Sequence, residues 1–330
     1  MSENTSFSPF TRELLDRAFS VREGEVKIGQ KAAVFDDFGL VKTKFVILGV
    51  SEDVGPRANM GAPGSDRSFD VFVNRFLNMQ SNRFFDGSDC LIMGKVIGFS
   101  SPDASIPELR ACVEEIDSMV FEYCVRIFSM KAIPIVVGGG HNNAYPIIKA
   151  YHSVLGLGLN VINLDPHADF RPLEGRHSGN SFSYAMNQGM LSSYHVIGLH
   201  RQYNSESMLL ELEKNKCFLS FYEDYIKGVN SFGSDFSKIK RILGFRDDDN
   251  DAEFGCEIDM DAIKGMPSSA FTPSGFSLDE VRAYLGLMNM SFRLLYLHLP
   301  EAAPLSLRED AIVGKSLSYL VSDFCASYRF

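Results

Sequence analysis

Short apolar runs, many of them β-branched, recur along the chain and predict strands that are buried on both faces. They lie at residues 45–50, 133–137, 159–164, 195–199 and 294–299. Continuous rather than alternating hydrophobicity is typical of parallel sheets, whose two faces are covered by helices. The runs therefore predict a central, mostly parallel sheet.

Helical patterns fall between these runs. Residues 107–131 carry apolar side chains at three- and four-residue spacing, as an amphipathic helix does. Ser277 precedes Asp279 and Glu280, which predicts a capped helix that continues to about residue 290. Alternating strands and helices favour one α/β domain, and no internal repeat or Pro-, Gly- or Ser-rich linker divides the chain.

The composition and net charge indicate a globular protein and argue against binding to nucleic acid or membranes. The 330 residues are 45% hydrophobic and 22% charged, an ordinary globular balance, and the net charge of −10 argues against binding to nucleic acid. No apolar run approaches the roughly 20 residues of a membrane span, and residues 1–30 lack the apolar segment of a secretory signal. The six cysteines are scattered without a Cys-x-x-Cys pair, which favours reduced thiols and a cytoplasmic protein.

Six potential metal ligands follow the ends of apolar runs. They are His141, Asp165, His167, Asp169, Asp259 and Asp261. In an extended backbone, alternate residues would point to one side, so each stretch could present its ligands together. Alone, such residues are more often loop residues or turn caps. Together they would carry a large desolvation cost without cations, and they suit two ions that share a bridging carboxylate.

Other polar residues near these stretches are candidates for contacts with a substrate. Arg171 and Arg176 could grip a carboxylate, although each could equally form a surface salt bridge. Arg201 follows the run at 195–199, and Glu301 follows the run at 294–299. Glu301 would be a surface residue by itself, but beside a metal pocket it could hold a cationic group.

The stretches together resemble the ureohydrolase superfamily of arginases, agmatinases and formimidoylglutamases. The resemblance rests on Gly-Gly-Gly-His at 138–141, Asp-Pro-His-Ala-Asp at 165–169, Asp-Met-Asp at 259–261 and Glu-Ala-Ala-Pro at 301–304. It implies a three-layer αβα sandwich with a central, mostly parallel sheet, formed by residues 1–330 as a single domain with residues 1–40 as an N-terminal extension packed on it. It also implies two Mn²⁺ ions per chain, held by the six ligands named above.

Departures from the family pattern indicate the branch. Pro166 stands where the family usually has alanine, Glu257 where a serine or similar small residue is common, and Phe182 where arginases carry a proton-shuttling histidine. His177 could take over that shuttle. The segments at 59–64, 138–141 and 169–171 look more like formimidoylglutamases than arginases.

The resemblance therefore implies hydrolysis of a small amidino or guanidino amino acid, most closely N-formimino-L-glutamate to L-glutamate and formamide. Asp169, Glu301 and His177 would be catalytic, and Arg171, Arg176, Asn180 and Arg201 would bind substrate. Relatives are often trimers or hexamers, so a homo-oligomer is expected.

Other functions remain open at this point. Arginase or agmatinase activity is the alternative within the family, and a metal-free binding protein on the same fold is the alternative outside catalysis. A metal-dependent deacetylase is disfavoured because the chain has no His-His pair. A dinucleotide-binding enzyme is disfavoured because Asn143 stands where a Gly-x-Gly-x-x-Gly motif needs glycine.

Overall fold

The sheet at the centre of the protein has ten strands in the computed structural model, which describes residues 4–40 and 42–329. The strands are β1 Thr5–Pro9, β2 Ala33–Val34, β3 Phe45–Ser51, β4 Cys90–Gly98, β5 Ile133–Val137, β6 Leu159–Leu164, β7 Leu191–Leu199, β8 Phe218–Phe221, β9 Glu253–Ile258 and β10 Arg293–Leu299. Their order is β1-β4-β3-β5-β10-β9-β6-β7-β8, with β2 also beside β4. The pairing of β1 with β4 is antiparallel, and the other pairings are parallel.

Helices cover both faces of this sheet. They are α1 Arg12–Ala18, α2 Val54–Ala58, α3 Ser68–Phe76, α4 Ile106–Ser129, α5 Ala144–Leu155, α6 Ser181–Asn187, α7 Glu206–Lys214, α8 Tyr222–Ile226, α9 Phe232–Ile242, α10 Leu278–Ser291 and α11 Leu307–Ser327. One apolar core lies between the sheet and α3, α9, α10 and α11, and a second lies between the opposite face and α4, α5 and α6. This arrangement confirms the predicted three-layer αβα sandwich.

The strands divide their side chains between these two cores. In β6, Ile162 and Leu164 belong to one core and Val161 to the other, and all three are fully buried. A strand that is buried on both faces has a continuous apolar sequence, so such strands can be recognised in the sequence. The five predicted strands are confirmed as β3, β5, β6, β7 and β10. β4 was missed because Gly94 and Lys95 interrupt its apolar sequence.

The N-terminal cap of α10 is the one that the sequence predicts. Ser277 caps α10, with its hydroxyl accepting from the Glu280 backbone N–H while its own N–H donates to the Glu280 carboxylate at 2.7 Å. Glu108 bonds the N–H of Ser105 in the same way at the start of α4. Within residues 4–40 and 42–329, no helix combines the length and apolarity that crossing a bilayer requires.

A buried histidine in β7 makes the stability of this fold sensitive to acid. The side chain of His195 is fully buried, with Nε2 2.9 Å from the Ser193 hydroxyl, and burial lowers its pKa to about 3. The unfolded chain therefore binds a proton near pH 6.5 that the folded protein does not accept. This contribution to stability is present above pH 6.5 and is lost as the pH falls towards 3.

We expect His195→Gln to flatten this dependence. Between pH 6 and pH 4, the difference in the free energy of unfolding between wild type and variant should change by about 1.4 kcal/mol per pH unit. Chemical denaturation of the metal-free proteins at a series of pH values measures this difference, because the other acidic groups contribute equally to both chains. Parallel curves would contradict the assignment of His195.

Candidate metal centre

The predicted ligands lie at the carboxyl ends of neighbouring parallel strands. His141 follows β5, Asp165 follows β6 and Asp259 follows β9, while Glu301 follows β10, which lies between β5 and β9. Ligands commonly gather at this edge of an open α/β sheet, because the connecting loops there leave a crevice. The sheet order therefore brings four distant parts of the sequence to one site.

Three aspartates surround one nitrogen of His141. Its Nδ1 lies 3.3 Å from Asp165 Oδ2, 2.9 Å from Asp169 Oδ2 and 3.0 Å from Asp259 Oδ2. These four ligand atoms all lie within 4.8 Å of one another, a spacing at which they could coordinate one ion. The fold thus brings these four predicted residues together.

His167 forms a second group beside the first. Its Nδ1 lies 3.5 Å from Asp165 Oδ1 and 3.8 Å from Asp261 Oδ2. Asp165 thus turns one carboxylate oxygen towards each imidazole, as a residue shared between two ions would. The six side chains thus form two adjacent groups, and Asp165 contacts the histidine of each group.

The backbone reaches this arrangement through turns, so the predicted extended geometry is wrong. The N–H of His167 donates to Asp165 Oδ1, and the N–H of Asp261 donates to Asp259 Oδ1, both at 2.7 Å. Asp261 also lies in a short 3₁₀ turn. Aspartate side chains commonly bond the backbone two residues later, and such bonds fold each stretch around its first carboxylate.

Two glycines allow His141 to approach the aspartates. Gly138 and Gly139 have φ values of 92° and 70°, in the left-handed region that glycine adopts without strain. A Cβ on Gly138 would lie 2.7 Å from the Val50 carbonyl oxygen, and one on Gly139 would lie 2.9 Å from Glu52 Oε1. The glycine run is therefore needed both for its conformation and for close packing.

The concentration of carboxylates shifts the pKa values across the site. Burial and the charges of Asp261 and Asp165 raise the pKa of Asp259 well above its usual value, and burial with the charge of Asp165 raises that of Asp169. Burial alone would lower the pKa of His167, but Asp165 and the neighbouring carboxylates raise it to about 10. The site favours added positive charge, which a proton or a metal ion can supply.

A cavity of about 190 Å³ opens onto these ligands. His167, Asp169, Asp259 and Asp261 line it, together with two other predicted residues, Arg171 and Glu301. The remaining wall includes Asn59, Ser178, Tyr203, Met208, Ser269 and Ala270. Ser269, Ala270 and Met208 were not predicted, because they come from loop and helix positions without a distinctive sequence pattern.

Glu301 is held firmly in this wall. The N–H of His141 donates to Glu301 Oε1 at 2.6 Å, and the Ser269 hydroxyl donates to Oε2. Glu301 is 3% exposed, and burial, together with the charge of Asp261, raises its pKa to about 8. Among residues 4–40 and 42–329 no basic side chain pairs with Glu301, so this carboxyl group is suited to receive a cationic group from the cavity.

Arg176 and Asn180 lie away from the cavity wall, which corrects the prediction that they bind substrate. The Arg176 guanidinium is 3% exposed and donates to Asp117 Oδ2, to the Asn142 carbonyl oxygen and to Asn180 Oδ1. The Asn180 amide nitrogen donates to the Gly175 carbonyl oxygen. These contacts hold the 171–180 loop in place and leave neither side chain available to a ligand.

The side chains of His177 and Arg201 also lie outside the lining of the cavity. His177 is fully buried, with Nε2 3.1 Å from Glu174 Oε1 and Nδ1 accepting the N–H of Gly179, and burial lowers its pKa to about 4. Arg201 bonds Asp224 at 2.7 Å outside the cavity. The predicted proton-carrying role of His177 and the substrate-binding role of Arg201 do not fit this geometry.

The comparisons with known proteins agree with this arrangement. The sequence profile of the arginase family matches residues 53–316. The formimidoylglutamase of Geobacillus thermodenitrificans is 26% identical over 186 residues, which cover 54% of this chain and 56% of that protein. The alignment thus spans little more than half of that relative. The formimidoylglutamase of Staphylococcus haemolyticus is 24% identical, covering 70% of this chain and 73% of that protein.

Solved structures share the fold. The formimidoylglutamase of Bacillus subtilis superimposes with a TM-score of 0.73 at 17% identity, covering 94% of this chain and 95% of that chain. A formiminoglutamase of Trypanosoma cruzi with Mn²⁺ gives 0.68 at 19% identity, covering 92% of this chain and 100% of that chain. At such identities the likeness establishes the fold, while the profile match covers most of the sequence. The chain belongs to the arginase family.

Proposed function

We propose that this protein is a binuclear Mn²⁺-dependent hydrolase that cleaves the C–N bond of a linear amidine, with N-formimino-L-glutamate as its substrate. The observation that carries the proposal is Asp165, whose two oxygens face two different imidazoles, next to ligand residues that line a cavity together with Glu301. The names of the curated relatives support the choice of substrate.

The donor set fits two Mn²⁺ ions. His141, Asp165, Asp169 and Asp259 would hold one ion, and His167, Asp165 and Asp261 would hold the other. Carboxylate oxygens and imidazole nitrogens suit this borderline-hard ion, and its charge would offset the repulsion that raises the aspartate pKa values. Bound Mn²⁺ supplies Lewis acidity and makes a water molecule ionise near neutral pH.

Glu301 and Arg171 would orient the substrate between them. The Glu301 carboxylate would pair with the amidinium, replacing solvent with a fixed opposite charge. Arg171 lies on the same wall, where its guanidinium bonds Glu174 through Nε and one terminal nitrogen, both at 2.9 Å. The remaining terminal nitrogen of Arg171 could bind a substrate carboxylate. Holding both ends of the molecule brings the amidine carbon close to the ligand cluster.

Asp169 is placed to hold and transfer a proton. Its Oδ2 faces His141 Nδ1 at 2.9 Å, and the residue lines the cavity. Oδ1 is therefore the oxygen that can accept a proton from the attacking water and return it to the leaving nitrogen. His177 has no such access, so the proton transfer is assigned to Asp169 alone.

A substrate panel with purified, Mn²⁺-loaded protein tests the proposal. We expect kcat/KM to be highest for N-formimino-L-glutamate when it is compared with arginine, agmatine and guanidinobutyrate. Preference for arginine or agmatine would favour the alternative activities of the family. A protein that neither retains Mn²⁺ nor turns over any of the four compounds would be the metal-free binding protein.

Arg171→Met should separate recognition of the carboxylate from chemistry. We expect kcat/KM for N-formimino-L-glutamate to fall about 10–100-fold, since hydrogen bonds to a charged group contribute about 1.5–3 kcal/mol. Arg201→Met is the matched control, because Arg201 bonds Asp224 away from the cavity. Equal losses in the two variants would remove Arg171 from the substrate site.

A further inference from the structure

Three polar side chains form a row inside the sheet, directly beneath the ligands. The strand register places Asn163 of β6 beside Glu257 of β9, and Glu257 beside His298 of β10. All three are fully buried in strands whose other side chains are largely apolar. We call these residues the polar row. Buried polar groups are costly unless they are bonded, so their partners are informative.

The polar row bonds to two of the six ligands. The Asn163 amide nitrogen donates to Asp165 Oδ2 at 2.9 Å. Glu257 Oε2 lies 3.3 Å from His141 Nε2, on the side of the ring opposite the nitrogen that faces the aspartates. Both contacts lie behind the ligand, away from the cavity.

Glu257 is itself held from two further directions. The Tyr296 hydroxyl donates to its Oε1 at 2.6 Å, and His298 Nδ1 lies 2.6 Å from its Oε2. An ionised Glu257 carboxylate can only accept hydrogen bonds, so the histidine nitrogens that face it would carry the protons. With its proton on Nε2, His141 would direct the lone pair of Nδ1 towards an ion held by Asp165, Asp169 and Asp259.

We infer that Glu257 is a positioning residue for the metal ligand His141: its carboxylate accepts the Nε2 proton, fixes the ring orientation and tautomer, and makes Nδ1 a stronger donor to the ion. The inference rests on the proposed metal centre and adds a residue to it. Carboxylates that orient a ligating histidine in this way usually change metal affinity by about 10–100-fold when they are removed.

The same three groups could instead be ligands of an additional ion, since His141, Glu257 and His298 lie close enough for coordination. The distances argue against this. Glu257 Oε2 and His298 Nδ1 are 2.6 Å apart, which is a direct hydrogen bond. Two ligands of one ion, each about 2.0–2.2 Å from it, are normally farther from each other.

Glu257→Gln tests the inference, because it removes the charge while keeping the shape and an acceptor. We expect Mn²⁺ titration, followed by electron paramagnetic resonance and metal analysis, to give two ions in the wild type. In the variant, the ion at His141 should bind roughly 10–100-fold more weakly, and the spectrum of a coupled Mn²⁺ pair should give way to that of a single ion. The ion at His167 should be retained.

Asp235→Asn is the matched control. Asp235 is another fully buried carboxylate that accepts a tyrosine hydroxyl, from Tyr225 at 2.7 Å, and its further partners are Ser220 and Lys238. We expect it to bind both ions as the wild type does. Tyr296→Phe is a milder second test, which should weaken the same ion by a smaller factor while the unfolding temperature of the metal-free protein stays close to that of the control.

Three results would overturn the inference while leaving the metal centre in place. Unchanged affinity for both ions in Glu257→Gln and Tyr296→Phe would show that Glu257 does not act through His141. Equal weakening in Asp235→Asn would show a general effect of losing a buried charge. A third ion in the wild type, lost in Glu257→Gln, would make Glu257 a ligand. A wild-type protein without Mn²⁺ affinity would instead refute the metal centre itself, and the inference with it.

Discussion

Asp165→Asn is expected to disrupt both subsites of the metal centre and to lower turnover of N-formimino-L-glutamate by at least about 10³-fold, or about 4 kcal/mol of activation free energy. The carboxylate oxygens of Asp165 lie 3.3 Å from His141 Nδ1 and 3.5 Å from His167 Nδ1, so its charge serves both groups. An asparagine oxygen can still accept the N–H of His167, and the local turn should therefore persist.

Metal analysis and steady-state kinetics on the same preparation measure this effect. The expected result is fewer than two Mn²⁺ ions per chain together with the loss of turnover. Asp235→Asn again provides the control, because it removes a buried charge that bonds Ser220, Tyr225 and Lys238. Two tightly bound ions in Asp165→Asn would show that the carboxylate is not shared between them.

Glu301→Gln should cause the second-largest loss of kcat/KM, because it weakens substrate binding rather than metal binding. The amide oxygen of the variant could still accept from the His141 N–H or the Ser269 hydroxyl, but the side chain would offer no charge to an amidinium. Removing one partner of a buried, bonded ion pair usually costs about 2–5 kcal/mol, so kcat/KM should fall roughly 10²–10³-fold. The Mn²⁺ content should stay at the wild-type value.

The comparison of these two variants distinguishes metal binding from substrate binding. Glu309→Gln is a suitable control for Glu301→Gln, because Glu309 lies at the exposed start of α11. Its carboxylate accepts the Leu305 N–H, and its backbone N–H donates to the Ser306 hydroxyl. It should leave kcat/KM unchanged. If Glu301→Gln kept wild-type efficiency, Glu301 would not hold the cationic end of the substrate.

The fold could be predicted from the sequence, as could the residues that come together in the candidate site, because both leave local patterns. Strands buried on two faces require continuous apolar runs, and the ligand residues follow those runs directly, as His141 follows β5. The range of β9 was not predicted, but the Asp259 and Asp261 pair was placed at the end of an apolar run, where β9 ends. Asp165 contacts both His141 and His167 because the strands lie in the order β5-β10-β9-β6, which no local pattern encodes.

The errors arose where tertiary contacts decide the role of a side chain. Arg171 and Arg176 are five residues apart, and no local pattern distinguishes their roles. Arg171 nevertheless lines the cavity, whereas Arg176 is buried against Asp117. Glu257 was seen only as a departure from the family pattern. Its role depends on His298 and Tyr296, which lie about 40 residues later in the chain and become neighbours through the pairing of β9 with β10.

Two of the five non-glycine residues that have a positive φ in the described part of the chain line the cavity. Asp169 and Glu301 have φ values of 45° and 70°, in a region that costs most side chains about 1–3 kcal/mol. Glycine or asparagine would relieve that cost at either position. Selection for heat resistance alone should therefore accept such replacements readily, and the selected proteins would be more stable but would lack side chains that the proposed reaction requires.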